Sequence, residues 1–156
     1  HFSQGDGEIN FCGAIEMGGF IDFHVDVIKG GMEKYGVTNN PVFMPGNVEP
    51  RYTEFLSFIG ISVDHDTNTN HYNDATLAFR NACLNAIEYL KTFGYTGEQA
   101  YLLLGAAPIE GRVSGVVDIP NACCSLYLPT AIFDFDIRPT AEGPRRADRG
   151  QCAVSS

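Results

Sequence analysis

The feature that most constrains this chain lies in its middle, between residues 73 and 104. Phe79, Cys83, Ala86, Leu90 and Phe93 recur every three or four residues. That spacing places them on one stripe of an amphipathic helix, which must be buried against something flat. Asn73 or Asp74 stands where an N-cap belongs, and Gly94 supplies the stop. Thr96-Gly97-Glu98-Gln99 then has the form of a capping box and opens a second helix to about Leu104. So short a link predicts a helical hairpin, two helices packed side by side.

Alternating segments flank this pair. Residues 8–17 place Ile9, Phe11, Ile15 and Met17 on one face, and Glu8, Asn10, Cys12 and Glu16 on the other. Ile21, Phe23, Val25 and Val27 alternate with Asp22, His24 and Asp26. A period of two predicts half-buried strands, and Gly18-Gly19 between them predicts a hairpin. Opposed residues in a hairpin share a face. A three-residue loop, Met17-Gly18-Gly19, therefore opposes Ala14 to Asp22, Cys12 to His24 and Asn10 to Asp26. Glu8 and Glu16 share a face but stand about 26 Å apart along a straight strand, too far to act as a pair.

Further strands are expected at residues 42–44, 54–63, 112–119, 125–128 and 131–137. Loops are expected at Gly30-Gly31 and at Asn39-Asn40-Pro41. From about Arg138 the composition turns to Pro, Gly, Arg and Ser, and residues 138–156 read as an irregular tail. No repeat or domain boundary is visible. Strands, a helix pair, then strands predict an α+β fold, β-rich, with largely antiparallel sheets.

Composition excludes several classes. The 156 residues are 44% hydrophobic and 19% charged, which fits a globular chain rather than a disordered one. The net charge of −9 argues against nucleic acid and anionic membranes as partners. The one basic cluster, Arg145, Arg146 and Arg149, reads as part of a solvated tail. No apolar run approaches the ~20 residues that span a bilayer, and no signal peptide is visible. Five cysteines, with Cys123 and Cys124 adjacent and no C-x-x-C, argue against a disulfide framework or a zinc knuckle. A reducing, cytoplasmic setting is the expectation. The chain has no initiator Met and opens inside a motif, so it is expected to be a fragment or a processed piece.

Four places can carry chemistry. The first is HFSQGDGEI, residues 1–9, where His1, Gln4, Asp6 and Glu8 crowd around Gly5 and Gly7 ahead of a strand. Short polar groups held by glycines suit a site loop, and equally a tight entry into a strand. Acid, amide and imidazole groups together suit general acid–base work, or activation of water by a metal. The second is the polar hairpin face of Asn10, Cys12, Asp22, His24 and Asp26, with the solvated face of a sheet as its bland reading. The third is Asp64, His65, Asp66 and His71, where capping and turn formation are the default. The fourth is the pair Cys123-Cys124, expected to be buried, together with Asp118 at a strand end. No G-x-S-x-G elbow, Walker loop, G-x-G-x-x-G or H-E-x-x-H is present.

Three separated blocks, HFSQGDGEINFCGAIEMGG, LNAIEYLKTFGYTGEQAYLLLG and GRVSGVVDIPNACCSLYLPTAIFD, resemble the acetamidase/formamidase family in sequence and in mutual spacing. The resemblance covers residues 1–137 and is greatest to the formamidase branch. It implies hydrolysis of a short linear amide, with formamide and water giving formate and ammonia. Acetamide is the alternative substrate, and a non-catalytic assembly fragment the alternative role. It also implies β/β/α layering, homo-oligomers, and a missing amino-terminal half as partner, because family members are much longer. At the matching positions it implies that His1 and Asp6 hold a divalent metal, zinc favoured, jointly with ligands outside this chain. Glu8, with Asp6 beside it in the catalytic set, would be the general base. Gln4 and backbone groups near Gly5 would orient the amide.

Overall fold

A computed structural model describes Ile9 and residues 18–36, 54–116 and 121–150. The chain divides into two compact units, residues 16–51 and the remainder.

Among the described residues, the smaller unit contributes one short helix, α1 (Gly31–Tyr35), where the sequence predicts only a loop. Gly30 and Gly36 flank it with φ of 68° and 65°, a left-handed conformation that suits glycine at a helix boundary. The strand expected at residues 21–27 is not formed. Residues 18–28 carry no ladder, and Phe20, Ile21, Phe23, Val25 and Val27 are all exposed. Alternation supplies a pattern, but a strand also needs a partner for its N–H and C=O groups. The expected partner, residues 10–17, and the expected strand at 42–44 lie outside the described residues.

Among the described residues, the larger unit holds a three-stranded antiparallel sheet with two helices. β1 (Phe55–Ile61) and β4 (Glu110–Val116) flank the central β5 (Ala122–Pro129). A small hairpin, β2 (Val63–Asp64) with β3 (Thr69–Asn70), follows β1. α2 (Ala75–Lys91) and α3 (Gly97–Ala106) form the expected helical hairpin. Together these elements give the α+β, antiparallel fold that the pattern predicts.

Local bonds explain both helix starts. Asp74 Oδ1 accepts from Leu77 N at 2.9 Å. Thr96 and Gln99 exchange both bonds of the capping box, at 2.9 and 3.1 Å. Such a cap is worth about 0.5–2 kcal/mol. The predicted stripe faces inward: Cys83, Ala86, Leu90 and Phe93 are buried in one cluster with Leu104, Leu126 and Leu128. Each fully buried leucine contributes about 1.5–3 kcal/mol.

Register sorts the sheet's faces. Leu56↔Leu128, Phe58↔Leu126 and Gly60↔Cys124 point to the helices, while Ser57↔Tyr127, Ile59↔Ser125 and Ile61↔Cys123 point away. A bulge at Ser114 shifts β4 between Val113 and Gly115.

The carboxy-terminal part differs from expectation in two ways. Residues 131–137 do not form a strand: a single 3-10 turn, Thr130–Ile132, follows Pro129, and irregular chain follows the turn. Phe133, Phe135 and Ile137 alternate because they seal the core rather than because they join a ladder. Arg149 is likewise only partly exposed. Its guanidinium lies 4.0 Å from the Phe135 ring centre and 4.9 Å from that of Tyr95. Among the described residues, no helix is long and apolar enough to cross a membrane.

Candidate functional site

His1, Gln4, Gly5, Asp6 and Glu8 lie outside the described residues, as do Asn10, Cys12 and Asp118. Ile9, which follows Glu8 in sequence, is described. It is half-buried and packs on the main core. Its carbonyl oxygen comes so close to α3 that a Cβ on Gly105 would lie 2.8 Å from it. Gly105 therefore lets the chain that leads out of the HFSQGDGE motif run directly against a helix. Close backbone approach is one of the uses of glycine that the sequence leaves unmarked.

The other candidates resolve into structural roles. His24 Nε2 and Asp26 Oδ2 are 3.0 Å apart, but both side chains stand free in solvent, 90% and 82% exposed. Among the described residues, nothing collects further ligands around them. Asp64 Oδ1 accepts from the backbone of Asp66 and Thr67 at 2.9 and 3.0 Å. The Thr67 N–H is the main cause that holds its carboxyl below the usual carboxylate range. This is a turn-forming aspartate. His65 and His71 are exposed. Among the described residues, no group of three or more His, Cys, Asp or Glu side chains could hold a metal ion.

Two of the described thiols, Cys83 and Cys124, are buried. Burial pushes Cys83 up to about 12 and raises Cys124, whose Sγ donates to Ala75 O at 3.4 Å. A nucleophilic cysteine needs the opposite shift. Cys123 differs from its neighbour, because it lies on the other face of the sheet and is partly exposed.

Two polar features were not foreseen. Asn81, 7% exposed, sits at the centre of α2. It donates to Ile61 O at 2.9 Å and to Val63 O at 2.8 Å, clamping the chain where β1 gives way to β2. Between them Ser62 is fully buried, with its Oγ accepting from Ala122 N at 3.1 Å. An asparagine inside an apolar stripe is the sequence signal that could have found this clamp. The second feature is a cleft of about 680 Å³ lined by Lys91, Tyr95, Thr96, Arg146, Ala147 and Asp148. It forms where the tail folds back onto the link between α2 and α3, with Ala147 N donating to Phe93 O at 3.2 Å. Its lining contains no thiol or imidazole. It offers the charged groups of Lys91, Arg146 and Asp148 for binding.

The model of the acetamidase/formamidase family matches residues 1–135. This chain belongs to that family. It is 61% identical over 145 residues to a formamidase of Methylophilus methylotrophus, covering 93% of this chain and 35% of that protein. It is 80% identical over 111 residues to an acetamidase of Mycolicibacterium smegmatis, covering 71% of this chain and 27% of that protein. Among solved structures it matches a gamma lactamase from Delftia acidovorans with a TM-score of 0.88 and 62% identity, over 97% of this chain and 36% of that one. The chain thus spans about a third of the length of these relatives.

Proposed function

We propose that this chain is part of an amide hydrolase that cleaves formamide to formate and ammonia. The observation that carries the reading is the 61% identity to a formamidase along 93% of the chain. The reaction needs a base for water and a polarised carbonyl, because an amide is a poor electrophile. Glu8 takes the proton from water, and Asp6 stands in the same catalytic set. Gln4 and the backbone at Gly5 hold the amide for attack. His1 and Asp6 offer nitrogen and oxygen donors of the kind zinc accepts. A zinc held by them and by ligands from the rest of the enzyme would lower the pKa of water. The site is then shared with chain beyond these 156 residues, in a cytoplasmic homo-oligomer that releases ammonia for nitrogen metabolism.

Acetamide is the second reading, favoured by the 80% identity to an acetamidase over 111 residues. The two substrates differ by one methyl group, worth only about 1–3 kcal/mol of discrimination.

The test is a chimera in which this chain replaces the matching segment of the Methylophilus formamidase. It should release ammonia from formamide, with a kcat/KM above that for acetamide. Glu8→Gln should lower kcat by about 10²–10⁴. A folded chimera with no turnover of either amide would overturn the hydrolase reading, and unchanged kcat in Glu8→Gln would remove Glu8 as the base. Metal analysis of His1→Ala and Asp6→Asn checks the ligands, which must lower the bound metal.

A further inference from the structure

α3 carries two glycines whose surroundings differ. Gly97 opens the helix with nothing within 4 Å of a Cβ, whereas a Cβ on Gly105 would lie 2.8 Å from Ile9 O. Gly105 is not among the glycines with positive φ, so its own backbone conformation does not call for glycine. Alanine is the better helix former, and glycine in the last turn weakens the helix. What the missing side chain permits is the close approach of Ile9. Alanine at 105 must move Ile9 O from 2.8 Å out to about 3.4 Å, where ordinary contact begins. Ile9 is also held from a second side. Its side chain packs on the core cluster that contains Leu104, the residue before Gly105. The chain is thereby fixed at Ile9 by a side chain on the core and a carbonyl on a helix. Glu8 is joined to Ile9 by one peptide bond, which sets their Cα atoms about 3.8 Å apart and leaves little slack.

We propose that Gly105 is a positioning residue for amide hydrolysis: by admitting Ile9 O against α3, it sets the place of the Glu8 carboxylate. This role rests on Glu8 being the base that takes the proton from water. A base acts only within hydrogen-bond reach of that proton, and a reacting group must be held to within about 0.5 Å. The displacement that alanine at 105 imposes on Ile9 is of that size, one residue from the base. Gly105 touches neither substrate nor water in this role, and acts only through the chain at Ile9.

The test uses the chimera in which this chain replaces the matching segment of the Methylophilus formamidase. Gly105→Ala should lower kcat by about tenfold to a hundredfold, while Gly97→Ala leaves it unchanged. The double variant Gly105→Ala with Glu8→Gln should have the kcat of Glu8→Gln alone, because displacing a base that is already absent costs nothing more. A glycine that merely supports the fold would lower kcat by the same factor in both backgrounds, and the losses would multiply. Ile9→Ala loosens the same point without a clash. It should lower kcat in the same non-additive way, and Ile9→Val should recover most of the loss. Parent-like kcat in Gly105→Ala, or losses that multiply with Glu8→Gln, overturns the proposal. Should Gly105→Ala fail to fold, parent-like kcat in Ile9→Ala overturns it instead. The two readings fail separately. Unchanged kcat in Glu8→Gln removes the base, and this role with it. A slow Glu8→Gln beside a parent-like Gly105→Ala removes the positioning role alone.

Discussion

Gly60 of β1 and Ala78 of α2 meet backbone to backbone. A Cβ on Gly60 would lie 2.0 Å from Ala78 O and 2.4 Å from Ala82 N. The helix sits on the sheet through this contact, with Ala78 and Ala82 fully buried above it. Gly60→Ala must push the helix away, and is expected to destabilise the chain by about 1–3 kcal/mol or more. Gly97→Ala is the control. Gly97 opens α3 with nothing within 4 Å of a Cβ, so alanine there should be neutral or stabilising by about 0.4–1 kcal/mol. Urea unfolding of both variants checks the contrast in sign.

Asn81 gives a second prediction. Its amide holds two main-chain carbonyls, Ile61 O and Val63 O. Asn81→Leu leaves both without this donor and should cost about 2–3 kcal/mol. Asn81→Asp places a carboxylate against the same oxygens, so its folded pKa is raised above the unfolded value. The protonated acid can still donate one bond. The deficit of this variant should therefore be smallest below about pH 4 and grow as pH rises toward 7. A deficit that shrinks with rising pH would contradict the clamp.

These contacts mark how far the fold was legible. α2 and α3 were readable because their signals are local: a stripe at helical spacing, the Asp74 cap and the Thr96–Gln99 box all act within a few residues. β1, β4 and β5 were readable as strands, but not their order or the bulge at Ser114, which only pairing decides. Alternation misled at Ile21–Val27 and at Phe133–Ile137, since period two reports which side chains share a side and not whether a ladder exists. Asn81 and Arg149 find their partners across 18 to 56 residues, beyond any local pattern. The candidate site was legible only as a cluster of acid, amide and imidazole groups. Roles for His1, Gln4, Asp6 and Glu8 came from the resemblance, because acid, amide and imidazole groups in a short glycine-rich stretch do not by themselves say which is base and which is ligand.

The tail makes a third prediction. Arg149 stacks on Phe135 and Tyr95, and its Nε donates to Phe93 O at 3.4 Å. Gln99 Nε2 then holds Arg149 O at 3.0 Å. Arg149→Ala should cost about 0.5–2 kcal/mol. Arg149→Lys should recover little of it, because an ammonium lacks the planar face that stacks. Arg145→Ala, at an exposed position nearby, should change nothing. Trypsin should cut after Arg145 or Arg146 faster in Arg149→Ala than in the parent, as the latch opens more often.

A last prediction concerns acid. Asp136 receives Arg138 Nε and the Arg138 backbone N–H on one oxygen, both at 2.9 Å, and Arg138 NH2 on the other at 2.9 Å. The Arg138 side chain is the largest cause, and together these bonds hold the Asp136 carboxyl at about 2. The folded value is below the unfolded one, so the pair's contribution is present above the usual carboxylate range. It is lost as pH falls through about 2. The pair is exposed, which keeps that contribution small and sensitive to salt. Arg138→Ala removes the guanidinium and leaves the backbone N–H, so Asp136 should rise only part of the way toward 3.8. Carboxyl carbon chemical shifts followed by NMR between pH 1.5 and 6 would read this directly, by comparing the parent with Arg138→Ala. If Asp136 did not move, the bidentate contact would not be what holds it. Glu54 also feels the loss: Arg138 NH1 lies 3.9 Å from its Oε1, which also accepts from the Thr130 hydroxyl at 2.8 Å. That bond fastens the start of β1 to the turn that follows β5. Fraying at Phe55 in hydrogen exchange should therefore increase in Arg138→Ala.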